Sequence, residues 1–130
     1  MISSLYAALS ALLIVWLSLQ VIKIRRTKKV SLGDGGQLVL QTAIRAQGNA
    51  TEYIPISLIL LLLLELSGGQ MALVHTGGIA ILVGRLLHAR GLLTESFRYR
   101  VLGMQVTIFT IIGLALANIA YAVYGGLQGL

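Results

Sequence analysis

Four apolar stretches separated by short polar breaks organise the chain. Ile2 to Ile22 carries no charge over 21 residues, enough for a helix to cross roughly 30 Å of hydrocarbon. A second stretch opens near Gln37 or Leu38 and runs into Leu60–Leu64, with Glu65 as a boundary marker. The third extends from Met71 to about Ala89, and the fourth carries no charge from Val101 to Leu130. Between them lie Ser31-Leu-Gly33-Asp34-Gly35-Gly36, Ser67-Gly68-Gly69-Gln70 and Gly91-Leu-Leu-Thr94-Glu95-Ser96, whose glycines and hydroxyls favour turns. The pattern predicts one domain over residues 1–130, an all-α membrane protein built as a four-transmembrane-helix bundle. The helices are expected at about 2–24, 38–66, 71–90 and 98–127. Pro55 should bend the second of them.

Composition sharpens this picture. The 130 residues are 57% apolar, with a mean hydropathy of +0.90, too greasy for a soluble domain of this size. There is no cysteine, which removes disulfides, thiolate metal sites and a protein thiol nucleophile. His75 and His88 lack companions at metal-ligand spacing, so no metal is expected. The first apolar run has no basic segment before it and is long enough to span, so a cleaved signal peptide is not expected.

The net charge of +6 matters through its placement. Lys23-Ile-Arg25-Arg26-Thr-Lys28-Lys29 holds five cations in seven residues, and Arg85, Arg90, Arg98 and Arg100 belong to the same side of the hairpins. By the positive-inside rule both charged loops are cytoplasmic and both termini are not. A basic collar against anionic headgroups explains the charge without nucleic acid. Serines 3, 4, 10 and 18 suit close helix contacts, Trp16 is expected to pack, and His75 is expected to hydrogen-bond between helices.

Candidate chemistry is concentrated in Arg45-Ala-Gln47-Gly-Asn49-Ala-Thr-Glu52-Tyr53-Ile-Pro55. On a helix advancing about 100° per residue, Arg45, Asn49 and Glu52 fall within roughly 60° of arc. Intramembrane ionisable groups usually face a protein interior or a wet cavity. They form either an ion pair that fastens helices or a polar ligand site. Arg25, Arg26, Arg45, Arg85, Arg98 and Arg100 all fall in the cytoplasmic half, with Glu52 as the acidic counterweight. Guanidinium forks grip carboxylates, and one acid among them suits a ligand ammonium. A small peptide with two carboxylates and an amine meets both demands. If that ligand also carried a thiol, a nearby guanidinium would favour its thiolate.

Arg45-x-Gln47-x-Asn49-x-x-Glu52-Tyr53-x-Pro55 resembles the signature of the MAPEG superfamily, the membrane-associated proteins in eicosanoid and glutathione metabolism. The resemblance covers essentially the whole chain and is nearest to the short bacterial members. It implies a homotrimer in the inner (plasma) membrane that binds glutathione as co-substrate between neighbouring subunits. Carried over by position, it gives Arg45, Asn49, Glu52 and Tyr53 to glutathione. Gln47 and the pair Arg25-Arg26 are reached from the adjacent subunit. Arg85 with His88 resembles an R-x-x-H motif of one branch. Arg100 with Gly103 resembles the R-x-x-G start of the fourth helix, whose arginine stabilises the thiolate, and Arg98 competes for that role. Leu92 departs from a tyrosine found in characterised members, and Leu87 from an arginine found in some.

The leading expectation is a glutathione S-transferase or peroxidase-like enzyme acting on a lipophilic small molecule that arrives through membrane lipid. The alternative is a non-catalytic lipid-binding or scaffold protein of the same fold. A four-helix multidrug transporter is disfavoured, because Glu52 among arginines suits proton cycling poorly.

Overall fold

The computed structural model describes residues 1–128. Four helices follow one another: α1 (Ile2–Lys28), α2 (Leu38–Leu66), α3 (Met71–Leu93) and α4 (Phe97–Gln128). Each is long and apolar enough to cross a membrane. Central α2 and α3 touch each other and both outer helices, whereas α1 and α4 share no contact among the described residues. The cross-section is therefore a rhombus with α2 and α3 on its short diagonal. The end that holds Lys28, Leu38, Leu93 and Phe97 is called the basic end below.

Two helices run further than the hydrophobic pattern predicts. α1 continues through the basic segment to Lys28, because lysine and arginine are good helix formers and cations complement the negative C-terminal pole. It stops where Lys29 turns left-handed (φ 56°) and Val30 N–H donates to the Arg25 carbonyl at 3.1 Å. α3 extends past Gly91, which was expected to open the turn; only Thr94–Ser96 remain between α3 and α4. Gly91 is a packing residue instead. A Cβ there would collide with the backbone of Tyr99 and Arg100, so glycine lets the two helices meet at the basic end.

In the opposite half all four helices contribute to one buried cluster, through Tyr6, Leu61, Leu64, Val74, Ile81 and Leu114. Gly78 leaves room for the Tyr6 ring, and Tyr6 shares a 2.7 Å hydrogen bond with His75 Nδ1, linking α1 to α3 as expected of that histidine. Ser3 and Ser10 are buried at the same face, while Ser4 points outward. Trp16 departs from its expected packing role. It is 46% exposed on the outer flank of α1, along the row of Leu12, Leu19 and other outward-facing apolar residues.

Glu65 does more than mark a boundary. Its carboxylate accepts from the backbone N–H of Ile2 and of Ser3 (2.9 Å) and from the Ser3 hydroxyl. α1 has no side-chain cap of its own, so α2 supplies an anion to the positive pole of α1. Glu65→Ala should speed amide hydrogen exchange over Ile2–Leu5 and leave the basic end unchanged.

Candidate functional site

The buried cation of the bundle is Arg85, only 2% exposed on α3. Its Nε and Nη2 both donate to Thr107 Oγ1 on α4, at 3.0 and 2.7 Å. Nη1 donates to Asn49 Oδ1 on α2 and more weakly to the Asn49 carbonyl at 3.4 Å. The Tyr53 ring lies 5.3 Å from the guanidinium carbon, and Thr107 Oγ1 in turn donates to the Gly103 carbonyl at 2.8 Å. Among the described residues Arg85 has no carboxylate partner within 4 Å, so neutral dipoles and one aromatic face stabilise the charge. Arg85 thus fastens three helices and holds the Asn49 side chain in place. It does not face the cleft.

Beside this knot a cleft of about 380 Å³ opens among α2, α3 and α4. Arg45 and Asn49 come from α2, His88 from α3, and Arg100 and Gln105 from α4. Leu92, Phe97, Met104 and Ile108 supply its apolar surface. Helical spacing explains the α4 contribution: Arg100, Met104 and Ile108 lie four residues apart and share a face. His88 is buried at 4% exposure and makes no hydrogen bond among the described residues, which leaves its ring available to the cleft. Leu92 makes the wall apolar at the position of the absent tyrosine.

The predicted arginines are thus divided rather than gathered. Arg45 and Arg100 border the cleft, Arg85 lies behind it, and Arg98 is exposed and away from it. Arg25 closes the first loop by donating to the Gly33 carbonyl at 2.7 Å. With Arg26, Lys29, Val30 and Ser31 it borders a separate pocket of about 360 Å³. Glu52 pairs with Arg45 at 3.4 Å, two turns along α2, and both side chains are more than half exposed. Such a pair contributes little stability. Gln47 is half-buried on another flank of α2. Thr107 and Gln105 escaped the sequence reading. Neither belongs to a motif, and only the α3–α4 crossing brings Thr107 to Arg85 across 22 positions.

A second, apolar groove of about 550 Å³ runs between α3 and α4. Gly77, Ala80, Val106, Phe109 and Gly113 form much of its wall, and Gln105 borders it as well as the polar cleft.

Known proteins resemble this chain along nearly its full length. It is 46% identical over 121 residues to the inner membrane protein YecN of Escherichia coli strain K12, covering 93% of this chain and 92% of that protein. The protein of the same name from Escherichia coli O6:H1 shows the same identity and coverage. Residues 3–120 match the MAPEG family as a whole, and with the four-helix architecture and these relatives, the chain belongs to that family.

Proposed function

We propose that the protein is a homotrimeric enzyme of the inner membrane that binds glutathione at the basic end and presents its thiolate to a lipophilic electrophile. This is the chemistry of a glutathione S-transferase or peroxidase. The observation that carries the reading is the cleft bordered by both Arg45 and Arg100, together with Asn49 and His88. Two guanidiniums on one partly apolar cleft suit a polyanionic peptide better than a neutral lipid. The chain has no cysteine, so the nucleophile arrives with the ligand.

In this reading Arg100 holds the thiolate, and Arg45, Asn49 and His88 contact the peptide. Arg85 and Tyr53 act through Asn49 as positioning residues. Arg25, Arg26 and Gln47 lie away from the cleft of their own protomer, which suits a contribution from a neighbouring subunit. The name of the Escherichia coli relatives supports the inner membrane as the location.

Calorimetric titration of the detergent-solubilised protein with glutathione, alongside native mass spectrometry, tests this directly. Saturable binding to a trimer is expected; no binding at millimolar glutathione removes the proposal.

The apolar α3–α4 groove favours a second reading, a non-catalytic lipid-binding or scaffold protein. That reading predicts co-purified lipid along Gly77 and Gly113 and no thiolate absorbance when glutathione is added.

A further inference from the structure

We infer that Gln105 on α4 donates a hydrogen bond to the carbonyl oxygen of the lipophilic co-substrate, which makes that co-substrate a conjugated enal or enone; the inference rests on the glutathione reading above. From Val101 to Asn118, α4 carries four polar side chains: Gln105, Thr107, Thr110 and Asn118. Three are engaged within the bundle. Thr107 accepts from Arg85, Thr110 donates to the Val106 carbonyl at 2.6 Å, and Asn118 donates to the Leu60 carbonyl at 2.9 Å. Gln105 alone has no hydrogen-bond partner among the described residues. It lies five residues beyond Arg100, about 7.5 Å further along the axis into the uncharged span. An amide at that depth has little water to replace a missing partner, so leaving it bare is costly unless a ligand meets it.

Position says what such a ligand looks like. Gln105 borders both the 380 Å³ cleft, which it shares with Arg45 and Arg100, and the 550 Å³ apolar groove between α3 and α4. No other residue borders both. A molecule whose tail lies along Gly77 and Phe109 therefore brings its head past Gln105 to the thiolate at Arg100. That head is uncharged. A carboxylate would be drawn to the guanidiniums of Arg45 and Arg100, whereas an amide N–H suits a neutral oxygen.

The chemistry narrows the class further. A donor beside the reacting centre speeds attack only where an oxygen gains charge in the transition state. When a thiolate adds to an enal, sulfur bonds to the β-carbon and the C=C pair shifts toward the carbonyl carbon. The carbonyl pair moves onto oxygen, and the Gln105 Nε2–H holds that enolate oxygen. Water then protonates the α-carbon and the C=O bond re-forms. The adduct needs neither a leaving group nor an oxidant.

The test measures glutathione conjugation by the full-length protein in detergent micelles, with trans-2-nonenal and with benzyl chloride, an electrophile without oxygen. Gln105→Met keeps the shape of the side chain without its donor, and Gln105→Glu offers only an acceptor. Both should lower the ratio of kcat/KM for nonenal to kcat/KM for benzyl chloride by about tenfold or more, the scale of one lost donor at a developing oxyanion. Thiolate absorbance on adding glutathione should persist in both variants. An unchanged ratio overturns the assignment and leaves the glutathione reading intact, as does a wild type that forms the thiolate but does not conjugate nonenal. A wild type with no thiolate absorbance and no turnover of either electrophile overturns both.

Discussion

Asn49→Leu is expected to destabilise the bundle by about 3 kcal/mol, far more than a lost interhelical hydrogen bond usually costs in a membrane protein. Neutral interhelical hydrogen bonds there average about 0.6 kcal/mol, because the unfolded chain finds other partners. Asn49 is different because it accepts from the buried guanidinium of Arg85. Removing the acceptor strands a charge that has no carboxylate partner among the described residues. Thr107→Val should act the same way on the other side, since one hydroxyl accepts from both Nε and Nη2. Arg85→Met removes the ion along with its need for partners, so it should cost about 1 kcal/mol or less, and it should rescue most of the Asn49→Leu loss. Unfolding in mixed micelles measures all four proteins. Additive losses in the double variant would show that Arg85 is not the reason Asn49 matters.

Arg100→Ala should lower the glutathione-dependent rate at neutral pH by about ten- to a thousandfold, the effect of removing one cation beside an ionising thiol. Arg100 is the α4 cation on the cleft wall, and nothing else on α4 carries charge beyond it. The sign follows from ionisation. A cation stabilises the thiolate and so lowers the pH at which it forms; without it the pH–rate midpoint moves up toward that of free glutathione. Arg100→Lys keeps the charge but not the planar fork, so it should retain part of the shift. Thiolate absorbance on mixing protein with glutathione gives the same information without turnover. Arg98→Ala serves as the comparison, because Arg98 is exposed and away from the cleft. Equal losses in both variants would point to bulk surface charge instead of a specific contact.

The four helices were legible because hydrocarbon imposes a length and a polarity that no soluble fold requires, and α2 matched its expected bounds at both ends. The larger errors in helix length fell at the basic end, at Lys28 and Leu93. Gly91 reads as a turn residue, since the sequence does not reveal that α4 will press against it. The spacing of Arg45, Asn49 and Glu52 did put them on neighbouring faces of α2, and the Arg45–Glu52 contact follows from that. What spacing could not supply was the direction of each face. Asn49 turns toward α3 and α4, so it is the acceptor for Arg85 as well as part of the cleft wall. Arg85 and His88 share a helix face, yet one is tied to Thr107 and the other borders the cleft. Partners 22 and 36 residues away decide that difference. Glu65 gave the same lesson at the other end, where its carboxylate serves a helix that begins 63 residues earlier.

The decisive measurement is a structure of the protein in lipid with saturating glutathione. Tripeptide density against Arg45, Asn49 and Arg100, with its sulfur at the Arg100 guanidinium, is the predicted result. A cleft that stays empty, or holds only an acyl chain under those conditions, would contradict glutathione binding at this site.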